Sequence, residues 1–305
     1  MARAYRFDPP IPARPPVRRP RLVEVLDRRF ESRVVVLVGG AGFGKSTLLA
    51  EAVRHNLEAP RGEDVWVGCE PADSEAEHLV AGLAAAMGVP APTAASPEQL
   101  AKVIADQIWD RAPRQVAIVL DDVHELASGG SGAALVEHLA GSLPSNGHLV
   151  LAGRSHPALP LSRLRAHGRV VDIDEDDLGF DAEELAEFGR LREVDPSSLE
   201  HAGGWPAMTE LVVEADRSTI ADFALEEVLH DRRPEDVAVV EAVAVLGSAD
   251  DGLIDAVLGE MPGRGRLAEV MTGVLRRLDT GPRTSRFLGY RNRGGTLDTF
   301  GMQFA

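Results

Sequence analysis

One stretch governs what this chain can fold into. Arg33 to Val38, RVVVLV, runs directly into Gly39-Gly40-Ala41-Gly42-Phe43-Gly44-Lys45-Ser46. A β-branched run of that kind reads as a buried strand, and glycines packed this closely stop it from continuing. Lys45 to Asn56 then reads as a helix, with Leu48, Leu49, Ala52 and Val53 on its apolar face. Strand, glycine loop and helix are the context in which G-x-x-x-x-G-K-[ST] binds phosphate. Glycines let backbone N–H groups curl around phosphate oxygens, and the helix N-terminus adds its partial positive charge. In this reading Gly39, Gly40, Ala41, Gly42, Phe43, Gly44, Lys45, Ser46 and Thr47 hold a nucleotide. Lys45 reaches the β- and γ-phosphates of ATP, and the Ser46 hydroxyl ligates Mg²⁺. The only lysines are Lys45 and Lys102, with arginine used everywhere else, so the position of Lys45 is informative. Its side chain is expected to face solvent.

A nucleotide site also needs an acid at the end of another strand. Gln115 to Leu120 (QVAIVL) is such a strand, and it ends in Asp121-Asp122. Asp121 would hold Mg²⁺ through water, and Asp122 would orient or deprotonate the attacking water. An Asp pair after a strand is also a turn signal or a helix cap, and that alternative stays open. Further strands are read at Asp64 to Cys69, His148 to Ala152 and Arg169 to Ile173, with helices near 21–31, 75–88, 97–111 and 131–143. This alternation predicts an α/β fold with a five-stranded parallel sheet covered on both faces. The fourth strand ends in Gly153-Arg154, which would let Arg154 touch the γ-phosphate and report its presence; a solvated loop arginine is the alternative. Arg163 and Arg165 read as surface charge.

Composition removes other classes. A chain of 305 residues predicts two domains, perhaps three. The single cysteine, Cys69, excludes an internal disulfide and reads as core. Nine histidines lie scattered without HExxH or paired-cysteine spacing, so no resident metal centre is expected, and His124 reads as structural. No run approaches the ~18 apolar residues of a membrane span. Residues 1–21 carry Arg and Pro without an apolar core, unlike a signal peptide, so a cytoplasmic location is expected. The net charge of −16 is uneven: residues 1–33 sum to +5, 34–275 to −25 and 276–305 to +4. An acidic middle of that size repels nucleic acid.

Beyond residue 178 the strand signal stops and everything to 278 reads as helical. Asp181 and Glu184 form a capping-box pattern ahead of Leu185, Phe188 and Leu191. Pro234 suits a helix start and Gly247 its close. Leu267, Val270, Met271, Val274, Leu275 and Leu278 repeat as one amphipathic helix face, leaving Arg276 and Arg277 near its C-terminal end. The last stretch, 281–305, is Gly/Arg-rich and weakly patterned.

Several segments in one order, VRRPRL, GGAGFGKSTLL, VLDDVHEL, GRSHPALPLSRLRAHG, DLGFDAEEL, GGWPA and FALEEVL, resemble the ATPase half of the MalT-like, LuxR-type regulators of the STAND class, signal-transduction ATPases with numerous domains. The resemblance covers about residues 15–260. It implies a Pro/Arg-rich arm at 1–20, an AAA-like P-loop NTPase domain at 21–178, a helical lid at 179–220, a winged-helix-like module at 221–280 and an atypical tail at 281–305. It further implies that Arg19 lies in the arm over the adenine, that Pro206 of GGWPA packs on the nucleotide, and that Arg154 is the sensor arginine. By this resemblance the chain is an ATP/ADP switch with slow hydrolysis, answering an unknown inducer or output partner and self-associating in the ATP state. Family regulators are several times longer, with a repeat sensor and a C-terminal helix-turn-helix that do not fit after residue 280. The alternatives are an inactive nucleotide-binding interaction module and a regulator severed from its DNA-binding part. Specific DNA binding by this chain is not expected, because its candidate helix spends its apolar residues on its own core.

Overall fold

A computed structural model describes residues 4–93, 96–214, 248–249, 289–293 and 296–300. The chain divides into two compact units, Met1–Leu178 and Gly179–Ala305.

In the first unit a 3-10 turn at Ala4–Phe7 leads through the proline-rich segment to α1 (Pro20–Asp27) and a second 3-10 turn, Arg28–Phe30. There follow β1 (Val34–Val38), α2 (Lys45–Glu58), β2 (Glu63–Gly68), α3 (Ala76–Met87), α4 (Pro97–Trp109), β3 (Val116–Asp121), α5 (Ser131–Ser142), β4 (Gly147–Gly153), α6 (Ser162–Ala166), β5 (Val170–Ile173) and α7 (Glu175–Leu178). The five strands are all parallel, in the order β2-β3-β4-β1-β5. This is the predicted sheet, with strand ends within a residue or two of those read from sequence. The helix expected over 21–31 is shorter: α1 stops at Asp27, and the tighter turn after it carries Arg29 inward.

Because helices cover both faces, the strands are near-continuous apolar runs rather than alternating ones. Val34 and Val36 of β1, Val65 and Val67 of β2, Ile118 and Leu120 of β3, and Leu149 and Leu151 of β4 are all buried. They pack with Leu79 and Leu83 of α3 and Ile104 and Ile108 of α4 in one core. Local chemistry sets the helix ends. Ser96 caps α4 by accepting from the Gln99 amide at 3.3 Å, with Pro97 in the first turn, and Gly88 closes α3 at φ 67°.

The second unit opens with α8 (Ala182–Arg192), a 3-10 turn at Pro196–Ala202 and α9 (Pro206–Glu214). The capping box is present: the Asp181 carboxylate accepts from the amides of Glu183 at 2.9 Å and Glu184 at 2.8 Å, and the Glu184 carboxylate accepts from the Asp181 amide. Phe188 is buried as expected, but Leu191 is exposed, since α8 ends one residue later with no further turn to cover it. A short antiparallel sheet joins β6 (Ser248–Ala249), β7 (Gly289–Arg293) and β8 (Thr296–Phe300) in the order β6-β8-β7. It departs from the all-helical reading at 248–249, and from the weakly patterned reading of 281–305. The partners of β6 lie some fifty residues away, beyond the reach of local pattern. The helices expected at Pro234–Gly247 and 267–278, with Arg276 and Arg277, lie outside the described residues, as does most of the winged-helix-like module expected at 221–280.

Candidate functional site

The glycine loop leaves β1 at the C-terminal end of the sheet, where parallel α/β folds place their ligands. Gly42 and Gly44 take φ of 74° and 76°, a region that favours glycine. A Cβ on Gly39 would stand 3.0 Å from Leu178 Cδ1 and 3.2 Å from Glu175 Cγ, so a larger residue there would press on α7. Lys45 opens α2 and turns back under the loop, its Nζ donating to the Gly39 carbonyl at 2.6 Å and the Gly40 carbonyl at 2.8 Å. The solvent-facing lysine expected from sequence is therefore corrected: Lys45 is only 6% exposed. Burial lowers its pKa, the carboxylates of Asp122 and Asp121 oppose that shift, and Arg154 reinforces it.

β3 ends on Asp121, which is 5% exposed. Burial first, and the neighbouring Asp122 charge second, push its carboxyl up to about 6, against the Ser46 hydroxyl, which donates to it. The Asp122 amide donates to Asp121 Oδ1 at 3.1 Å. Asp122 is a non-glycine residue in the left-handed region, φ 57°, with a half-exposed side chain. The two acids therefore sit in different environments, one dry and beside Ser46, the other wet. His124 follows, with Nδ1 3.8 Å from Asp122 Oδ1; burial lowers its pKa. This suits the structural role read for it.

β4 lies between β1 and β3, and the Gly39 amide donates to the Gly153 carbonyl at 3.2 Å. Arg154, one residue on, is thereby brought beside the loop, close enough to act electrostatically on both Lys45 and His124. A Cβ at Gly153 would stand 2.9 Å from Val123 Cγ2, so β3 and β4 tips can approach only with glycine there. Arg165, by contrast, pairs with Asp172 on the surface, as read.

Arg19, at the N-cap of α1, is buried. Its Nη2 donates to the Leu178 carbonyl at 2.6 Å, its amide donates to the Glu51 carboxylate, and its Nη1 stands 4.0 Å from where a Gly44 Cβ would be. It thus borders the phosphate loop. Pro206 opens α9 in the second unit, after buried Trp205, whose carbonyl accepts from the Thr209 amide and hydroxyl at 2.9 Å each.

Two features escaped the sequence reading. Glu175 Oε1 accepts from the Gly40 amide at 2.5 Å. Arg6 pairs with Asp73 at 2.5 Å and Glu70 at 2.8 Å, tying the start of the arm to the segment after β2. Nothing in local spacing announces either contact. The one sign near Glu175 is the Asp174-x-x-Asp177 turn, in which Asp174 Oδ1 accepts from the amides of Asp176 and Asp177.

Among the described residues no group of three or more His, Cys, Asp or Glu could hold a metal by itself. That suits Mg²⁺, which is commonly held by one or two protein oxygens together with substrate phosphates. The half-buried Ser46 hydroxyl beside the buried Asp121 carboxylate, together with the glycine cradle, fits MgATP. No helix among the described residues is long and apolar enough to cross a membrane.

Residues 28–156 match the family model described as AAA domain. The serine/threonine-protein kinase PknK of Mycobacterium tuberculosis is 27% identical over 308 residues, covering 87% of this chain and 27% of that protein. The HTH-type transcriptional regulator MalT of Cronobacter sakazakii is 24% identical over 289 residues, covering 83% of this chain and 31% of MalT. The chain thus spans only about a quarter to a third of the length of these relatives. Among solved structures, the Aeropyrum pernix ORC2 protein, in ADPNP-ADP complexes, superposes with a TM-score of 0.56 at 14% identity, over 98% of this chain and 93% of that one. That is a likeness of fold. Taken with the matched domain, it makes residues 28–156 a P-loop AAA domain, in a chain that is similar to PknK and MalT over most of its length.

Proposed function

We propose that this chain is a cytoplasmic nucleotide-operated switch, binding MgATP and ADP in the 39–47 loop and hydrolysing ATP slowly to control a closed-to-open transition. The observation that carries this reading is the meeting of Lys45, Ser46, Asp121, Asp122 and Arg154 at one end of the sheet, delivered by the loop, α2, β3 and β4. Loop amides and Lys45 receive the phosphates. Ser46 and Asp121 hold Mg²⁺, which supplies charge neutralisation of the phosphates when bound. Asp122, the wetter acid, takes a proton from or orients the attacking water. Arg154 reads the γ-phosphate. Arg19 lies in the arm over the adenine, and the resemblance assigns Pro206 to nucleotide packing.

The name of the MalT relative, a transcriptional regulator, supports a place in transcription regulation; to this we add self-association in the ATP state and an inducer or output partner acting on this core. The acidity of residues 34–275 argues against specific DNA reading by this chain alone.

Two variants test the reading. Lys45→Ala weakens ATP binding about a hundredfold, the worth of a charge-assisted contact to phosphate. Asp122→Asn keeps ATP but slows hydrolysis about a hundredfold or more, as expected for loss of a general base. Normal turnover in both variants would overturn the assignment of these residues. Tight ATP binding by the wild type without phosphate release would turn the switch into a nucleotide-holding interaction module.

A further inference from the structure

The first peptide group of the phosphate loop, joining Gly39 to Gly40, is gripped from both sides. Its carbonyl accepts from Lys45 Nζ at 2.6 Å, and its N–H donates to Glu175 Oε1 at 2.5 Å. A hydrogen bond on one side of an amide polarises it and strengthens the bond on the other. An anionic acceptor is the strongest partner for that N–H. Glu175 thus sets the charge and orientation of the carbonyl that holds the Lys45 ammonium. The closeness is built in: a Cβ on Gly40 would lie 3.2 Å from Glu175 Oε1, and one on Gly39 3.2 Å from Glu175 Cγ.

Glu175 is itself held firmly. It opens α7, whose preceding turn is closed by Asp174 accepting from Asp176 and Asp177 amides at 3.0 and 3.2 Å, and by Asp177 Oδ2 accepting from the Asp174 amide at 3.1 Å. The other end of α7 is tied down as well. Leu178 is fully buried, its carbonyl accepts from Arg19 Nη2 at 2.6 Å, and the Asp177 carbonyl accepts from Arg21 Nη1 at 2.8 Å. The next residue, Gly179, begins the second unit.

From this we infer that Glu175 is a positioning residue for Lys45, acting through the Gly39–Gly40 peptide, and that α7 carries the state of the phosphate loop to the start of the second unit. The inference rests on the nucleotide-binding reading above and adds the element through which occupancy is felt. A nucleotide that draws the Lys45 ammonium toward its phosphates loosens one side of the shared peptide, and Glu175 and α7 feel the change on the other.

The experiment compares wild type, Glu175→Ala and Glu175→Gln by Mg-ADP affinity, by the NMR shift of the Gly40 amide proton, and by hydrogen exchange of residues 174–178 with and without Mg-ADP. In wild type the Gly40 proton is shifted downfield by its carboxylate partner, and exchange at 174–178 changes on adding Mg-ADP. Glu175→Ala binds Mg-ADP roughly tenfold more weakly, because the loop peptide and Lys45 are no longer held in place before the nucleotide arrives. In that variant the Gly40 proton moves upfield and 174–178 no longer responds to nucleotide. Glu175→Gln keeps an acceptor and restores most of all three. Mg-ADP affinity unchanged in Glu175→Ala, or equal losses in the Ala and Gln variants, would overturn the relay, the second pointing to mere packing. Wild type failing to bind Mg-ADP would sink the nucleotide reading and this inference with it, whereas normal wild-type binding with an indifferent Glu175→Ala sinks this inference alone. If the Ala variant does not fold, the Gln variant's Gly40 shift decides: a proton still downfield but less so than in wild type supports the contact, and one identical to wild type excludes a charged partner there and overturns the inference.

Discussion

The two ends of the central sheet bury polar groups to similar degrees and treat them in opposite ways. At the N-terminal ends of the strands the buried side-chain donors are held by protein acceptors. Arg29 Nε and Nη2 meet the two Asp64 oxygens at 2.8 Å each, with Asn56 donating to the same carboxylate at 2.9 Å. Asn146 donates to the Ile108 and Arg114 carbonyls at 2.8 and 3.0 Å, and His148 Nδ1 donates to the Ser32 carbonyl at 2.6 Å. At the C-terminal ends Lys45 is drawn below its ordinary pKa and Asp121 is raised, both chiefly by burial. Charge buried without full compensation is costly, and folds keep it where a ligand or a reaction needs it. One end of the sheet is therefore built to stay as it is, and the other is poised for a charged ligand.

The sharpest way to break this contrast is at Arg29–Asp64. Asp64→Ala would leave the guanidinium of Arg29, which is 2% exposed, with only the more distant Asp27 carboxylate, 3.6 Å from Nη1. Breaking a buried pair by removing one partner costs roughly 3–5 kcal/mol. Urea denaturation should show that loss, while the surviving folded fraction binds Mg-ADP as the wild type does. A small loss of stability, or a specific loss of nucleotide binding, would mean that the two ends are not functionally separate.

The contrast also explains how much the sequence revealed. The loop and its flanking elements were legible because strand, glycines, Lys45 and Ser46 are contiguous, and Asp121 because a buried strand runs straight into it. Arg154 was legible from its strand ending. The partnership of Arg29 with Asp64 spans 35 residues and that of Glu175 with Gly40 spans 135, so no local period could display either. Lys45 was misjudged for a related reason: a lysine in a polar glycine loop reads as solvated until the carbonyls it folds under are known. In the second unit the capping box announced α8, whereas β6 and its pairing with β8 depend on a partner far along the chain.

The second prediction uses pH at the ligand end. Asp121 has its folded pKa raised from 3.8 to about 6, so between those values the folded state holds a proton that the unfolded state has released. Stability must then fall as pH rises through that window, by roughly 3 kcal/mol at most. Asp121→Asn should abolish this slope and leave the variant more stable than wild type at pH 7.5 when both are kept in EDTA. Chemical denaturation across pH 4–8 checks it. A wild-type curve flat over that window, or an Asn variant less stable at pH 7.5, would show that the buried carboxylate is already compensated.

The smallest effect lies at the opposite end and has the opposite sign. Burial is the main cause that lowers the pKa of His148, with the positive charges of Arg33 and Arg169 adding to it and the Ser32 carbonyl opposing. A histidine held neutral in the fold binds fewer protons than its unfolded counterpart once pH drops below about 6.5. Stability contributed by neutral His148 is therefore present above that pH and is lost as pH falls, the reverse of Asp121. Phe30 packs edge-on against the ring with centroids 6.1 Å apart and shields it from water, while Gln115 Oε1, an acceptor 2.7 Å from Nε2, offsets only part of the cost of burial. His148→Gln should be somewhat less stable than wild type at pH 8 and should lose less on going to pH 5.5. Measured in the Asp121→Asn background, where the opposing slope is gone, the difference between the two proteins isolates the His148 term. If the loss between pH 8 and 5.5 is the same in both, His148 is protonated in the fold, and the N-terminal end of the sheet holds an uncompensated charge after all.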